Sequence, residues 1–286
     1  MLDIDSLGLR LGRTDIGVPM QVLEYPPLRR PSHRRSSARA EASRCRHCHQ
    51  VLDTVSALSR YVSKLLLDKS DIAVDFEGVA LCRTGELCIV QIAQLGRDAV
   101  LVDICALGER AFAEGRLREL FESEEVLKLG YDGRADYDAL NALGVRMRGY
   151  FDCQVLYCTR RDQRGGRRDP FVKGLGAALV DLLSPTEAAS LTKIKKTGLQ
   201  LFAPYLGGSY EVWRARPLNP LLITYAVADV AYLHRMRLEW RDAVPLAKMM
   251  QISKTRIEKF MVRALLILLL LLSLCISSYP LSCAPT

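Results

Sequence analysis

Ile72-Ala73-Val74-Asp75-Phe76-Glu77-Gly78 reads as a β-strand that carries two acids in apolar surroundings. Residues i and i+2 of a strand share a face, so Asp75 and Glu77 project together. Two adjacent carboxylates there repel and raise one another's pKa unless a cation compensates. Working outward, Leu87-Cys88-Ile89-Val90-Gln91-Ile92 and Ala99-Val100-Leu101-Val102-Asp103-Ile104 are further strand-like runs. Polar turns with Gly85 and Gly96 separate them, which makes three consecutive antiparallel strands. A helix is expected before them, from Val55 to Leu67. After them come a helix over 109–121, a strand at Val126 to Gly130, a helix at Ala135 to Leu143 and a short strand at Tyr150-Phe151-Asp152. Helices over 174–183, 187–195 and 220–241 complete the pattern. Antiparallel strands followed by alternating helix and strand predict an α/β fold, a mixed sheet flanked by helices.

Two later segments repeat the placement of acid in apolar sequence. Tyr225-Ala226-Val227-Ala228-Asp229 lies in an expected helix, where i and i+4 share a face, so Tyr225 and Asp229 point the same way. Asp136 opens the helix after the fourth strand, with Asp132 and Asp138 as close competitors. Each has a local explanation in a helix-surface pair, an N-cap or compensation of the helix dipole. Gathered together, such carboxylates would suit Mg²⁺ or Mn²⁺, which take hard oxygen ligands.

The 286 residues carry a formal charge of +8, which favours an anionic partner. Nine cysteines, an odd and scattered set, and a Met1-Leu2-Asp3-Ile4-Asp5 start without an apolar stretch predict a reducing, intracellular setting in cytoplasm or nucleus. Cys45-Arg46-His47-Cys48-His49 is half of a zinc site with no second knuckle following it, so chance is the favoured reading. Residues 1–53 read as a disordered basic region. Thr159 to Pro170 holds Arg160, Arg161, Arg164, Arg167 and Arg168, and Lys193, Lys195 and Lys196 form a second basic group. Either could meet phosphates, or be a solvated face.

Together and in order, these segments resemble the DEDD exonuclease superfamily, in its DEDDy branch of Egalitarian-like and ribonuclease D-like proteins. Val74-Asp75-Phe76-Glu77-Gly78 matches the first motif, with Ile89-Val90-Gln91-Ile92-Ala93 as its usual second strand. Lys128-Leu129-Gly130-Tyr131-Asp132-Gly133-Arg134-Ala135-Asp136 matches the second, and its last position prefers Asp136 over Asp132 and Asp138. Tyr225 to Asp229 matches the third, preceded by Arg216-Pro217-Leu218. The resemblance covers about Thr54 to Arg241 and implies a ribonuclease H-like fold, with residues 54–242 as the exonuclease domain. It further implies 3′–5′ hydrolysis of RNA or DNA with two Mg²⁺ or Mn²⁺ ions. Asp75 would contact both ions, Glu77 and Asp229 the one carrying the attacking water, and Asp136 the other, through water. Tyr225 would orient or help deprotonate that water. Some Egalitarian-like relatives lack a complete metal site, so a silent nucleic-acid-binding adaptor is the alternative.

Residues 243–286 form an extension whose segment at about 261–279 is hydrophobic. Lys254, Arg256, Lys259 and Arg263 precede it, as they would on the cytosolic side of a membrane tail anchor. A helix docked on the domain is the competing expectation, because the apolar core of the run is short for a span.

Overall fold

The computed structural model describes residues 49–165 and 171–277. Cys45 to Cys48 and most of the basic N-terminal region lie outside the described residues. Six strands form one sheet in the order β1-β4-β3-β2-β5-β6. They are β1 (Gln50–Leu52), β2 (Ile72–Val79), β3 (Glu86–Gln94), β4 (Val100–Asp103), β5 (Lys128–Gly130) and β6 (Tyr150–Asp152). β2, β3 and β4 pair antiparallel, and β5 and β6 continue the sheet in parallel beside β2. The expected mixed sheet is present.

β1 adds a parallel edge strand beside β4, in the stretch read as a disordered basic region, so the sheet starts ahead of Thr54. Three residues with one buried side chain, Leu52, give too little alternation to signal a strand.

Helices cover both faces. α1 (Val55–Asp68), α2 (Ile104–Leu107), α3 (Leu117–Glu122) and α4 (Arg134–Ala142) cover one of them. Val74, Phe76, Val90 and Ile92 turn to a core shared with Leu58, Val62 and Phe121. On the opposite face lie α5 (Cys153–Gly165), α6 (Leu175–Leu182), α7 (Pro185–Phe202), α8 (Pro220–Val230) and α9 (Leu233–Glu239). With both faces covered, β3 is buried from Leu87 to Ala93, and only the parity of the strand tells which residues look toward α8.

Three local expectations differ. Residues 153–165, where no helix is expected and whose end overlaps the arginine-rich segment from Thr159, form α5, whose buried residues Cys153, Gln154, Leu156 and Tyr157 crowd into its first turns. The single helix expected over 220–241 breaks at Ala231-Tyr232 into α8 and α9, with no Gly or Pro to mark the break. The C-terminal segment begins as α10 (Leu246–Ser277), which packs on β6, α4 and α5 and seats Ile257 in the core. Arg256, counted above among the cations flanking an anchor, points into the domain. Among the described residues no helix is long and apolar enough to cross a membrane. The anchor expected over about 261–279 runs past Ser277, and its side chains from 267 onward lie outside the described residues.

Candidate active site

β2 presents Asp75 and Glu77 on the face opposite Val74 and Phe76, as its alternation requires. α8 lies over that face and brings in Asp229, which is buried. Carboxylate oxygens of Asp75, Glu77 and Asp229 all lie within 4.8 Å of one another. The ladder between β2 and β3 shifts register just after Glu77, a bulge of the kind that re-aims side chains beside functional sites.

Asp136 stands in the first turn of α4, on the loop that leaves β5. Its two competitors have cationic partners. Asp138 is buried and takes the Arg83 guanidinium and backbone N–H, while Asp132 pairs with Arg134 and Arg256. Asp136 has no such partner among the described residues, and its charge is felt at Asp75 and Glu77.

Tyr225 precedes Asp229 by one turn of α8 and packs edge-on against Phe202, 5.1 Å between ring centroids, and Trp213, 6.4 Å. Across from it α7 approaches closely at Gly198, where any Cβ would collide with the Tyr225 ring. This approach delivers Lys195, three residues earlier on α7. Its ammonium pairs with both oxygens of Asp229 and lies 3.2 Å from the centre of the Tyr225 ring. Of the second basic group, Lys195 alone turns into the carboxylates, and Lys193 and Lys196 are exposed.

The first basic group divides differently. Arg160 stacks over Trp240, 4.6 Å from its ring centre, and Arg161 pairs with Asp162 and donates to the Phe171 carbonyl. Arg164 is exposed near the end of α5, and Arg167 and Arg168 lie outside the described residues.

Burial, then repulsion from Asp229, Asp136 and Glu77, pushes the Asp75 carboxyl well above the usual carboxylate range. Burial and Asp229 do the same to Glu77. Burial, then Asp132, Asp152 and Asp229, raises Asp136 to about 8. Asp229 is raised by burial although Lys195 opposes it, and Tyr225 is held neutral by burial and the same acids. All four carboxyls therefore bind protons more tightly in the folded chain than in the unfolded one. Stability from this uptake is full below the unfolded carboxylate range, about pH 4, and is lost as pH rises through the folded values. The melting temperature of EDTA-treated protein is expected to fall between about pH 5 and pH 8. Thermal scans across that window check it, and a flat or rising profile contradicts it.

The loop leading to Asp136 is fixed from beneath. Asp152, which sequence reasoning passed over, is 1% exposed and accepts the backbone N–H groups of Asp132 at 3.1 Å and Gln154 at 2.9 Å. The Tyr150 hydroxyl accepts from the Gly133 N–H at 2.7 Å, and a Cβ at Gly133 would collide with that ring. Arg256 of α10 ties the assembly together by reaching Asp152, Asp132 and Gln154. Only the Tyr150-Phe151-Asp152 strand hinted at this acid, because its partner lies far along the chain.

The profile described as 3′–5′ exonuclease matches residues 50–244, more than half of the chain. The chain belongs to the 3′–5′ exonuclease family. This exonuclease domain is 30% identical over 182 residues to the mouse piRNA biogenesis protein EXD1, a match taking in 62% of this chain and 30% of that protein. The human piRNA biogenesis protein EXD1 is 31% identical over 175 residues, 60% of this chain and 32% of the relative. The chain thus matches about a third of the length of these relatives. Among solved structures, Trypanosoma brucei RNase D in complex with GMP superposes with a TM-score of 0.61 at 25% identity, covering 75% of this chain and 64% of that one. The same enzyme with RNA U12 gives 0.57 at 22% identity, covering 74% and 70%. Motif resemblance and fold therefore agree on a DEDD-type exonuclease domain. Exonucleases of this family generally use divalent metal ions.

The residues present fit such ions. The donors are all carboxylate oxygens, the class that hard dications take. Their mutual repulsion draws in an internal cation, Lys195. The side chain of Gln91 is 0% exposed, and neither its nitrogen nor its oxygen has a hydrogen-bond partner among the described residues.

Proposed function

We propose that this chain is a 3′–5′ exonuclease that shortens single-stranded nucleic acid, RNA in preference to DNA, with two Mg²⁺ or Mn²⁺ ions. The observation that carries this reading is the convergence of Asp75, Glu77 and Asp229 within 4.8 Å on the face beneath Tyr225, in a chain of this family. The RNA complex of the structural relative and the piRNA role in the name of the sequence relatives support the preference for RNA. Bound ions would supply a water of lowered pKa and stabilise the departing 3′-oxygen. Asp75 would hold both ions, with Glu77 and Asp229 on one and Asp136 on the other. The neutral Tyr225 phenol would orient the attacking water by hydrogen bonding, since burial opposes its ionisation. Lys195, released from Asp229 as the ions enter, would be positioned to meet a phosphate of the strand. Arg160, Arg161, Arg164, Arg167 and Arg168 are proposed as backbone contacts outside the reacting centre.

The test is the full chain with 5′-labelled RNA and DNA strands of matched sequence. Shortening from the 3′ end with Mg²⁺ or Mn²⁺, and none with EDTA, is the expected result. A strand left intact under all metal conditions overturns the reading. The Lys195–Asp229 pair favours a second one, in which an internal cation keeps the acids closed and the domain binds nucleic acid without cutting it. Equal binding by wild type and Asp75→Asn, with no shortening by either, selects that adaptor role.

A further inference from the structure

Gln91 is the one side chain beside the acids whose buried polar atoms are both unpartnered among the described residues. It sits at mid-strand in β3, directly opposite Asp75 of β2 on one side and buried Leu101 of β4 on the other. Val90 and Ile92 belong to the core on the far face, so parity turns Gln91 toward the face that holds Asp75, Glu77 and α8. Its neighbours along the strand on that face, Ile89 and Ala93, are apolar and buried. Directly opposed residues of an antiparallel pair have Cβ atoms roughly 5 Å apart, within reach of a glutamine amide. A buried amide without partners is unfavourable, and an apolar residue of the same size would fill this position without that cost.

Resting on the metal-dependent reading above, we propose that Gln91 is a positioning residue for Asp75. Its side-chain N–H donates to the Asp75 carboxylate when divalent ions are bound, fixing how the oxygens of that carboxylate are presented. A carboxylate held by ions is a strong acceptor with lone pairs to spare, and the unpartnered amide directly opposite it supplies a donor for one of them.

Two readouts of opposite sense separate this role from a packing role. Gln91→Met keeps the volume and removes both polar atoms. The metal-free melting temperature is expected to hold or rise, while Mn²⁺ affinity, titrated by electron paramagnetic resonance without substrate, falls about 10- to 100-fold. Gln91→Asn retains an amide but shortens its reach, and is expected to lose Mn²⁺ affinity as well. If wild type binds Mn²⁺ and Gln91→Met binds it equally well, the positioning role is overturned whatever the thermal result. If wild type binds no Mn²⁺, the metal-dependent reading falls and takes this one with it.

Discussion

Asp75→Asn should abolish exonuclease activity, lowering the rate by at least about a thousandfold, equivalent to about 4 kcal/mol of lost transition-state stabilisation. The substitution keeps the shape of the side chain and removes the charge nearest the centre of the acid cluster. Because Asp75 sits among Asp229, Asp136 and Glu77, which all oppose its ionisation, an amide in its place relieves repulsion in the metal-free protein. The variant is therefore expected to melt no lower than wild type in EDTA and higher than wild type at alkaline pH. Added Mn²⁺ should no longer raise its melting temperature. Single-turnover assays paired with thermal scans check both halves. An active Asp75→Asn protein contradicts the assignment of this carboxylate, and an inactive one that melts far lower would show only a damaged fold.

Arg256→Met should have the largest effect on stability. Asp152 is 1% exposed, and its carboxylate has Arg256 as its charged partner, with two backbone N–H groups completing its contacts. Removing one member of a buried ion pair typically costs about 3–5 kcal/mol, since the other charge stays buried. For a domain of this size that lowers the melting temperature by roughly 6–20 °C. Pairing the change with Asp152→Asn removes the stranded charge and is expected to recover at least half of the loss, a coupling that a double-mutant cycle measures. Simple additivity of the two substitutions contradicts the network. A fragment of residues 54–242 lacks both β1 and α10, so it forfeits this tie and the edge strand together and is expected to unfold more readily than the full chain.

The acids of β2 and α8 were legible because charge in an apolar strand or helix is costly and the three motifs come in a fixed order. The central strands were legible for a related reason. Each carries enough apolar residues between polar turns to announce itself. β1 was hidden by its three-residue length and by the basic stretch ahead of it. The break between α8 and α9 was hidden because Ala231-Tyr232 carries no breaker residue, and packing alone ends the helix there. Lys195 was legible as a basic residue but its destination was not, since it meets Asp229 only because Gly198 lets α7 close on α8. Asp152 and Arg256 stood on a strand and on an expected extension, 104 residues apart, and no local pattern links them. Asp136 shows the reverse case. Its motif position singled it out first, and the partners of Asp132 and Asp138 set those two apart from it in the fold.

The Lys195–Asp229 pair gives this site a threshold. On the metal-dependent reading proposed above, loading it would be an exchange of one cation for another rather than an addition to open acids. A monovalent ion offers no more charge than the ammonium it would displace, so it has little to gain by entering. A dication would, and the exchange would then discriminate by valence before ion size or coordination geometry comes into play.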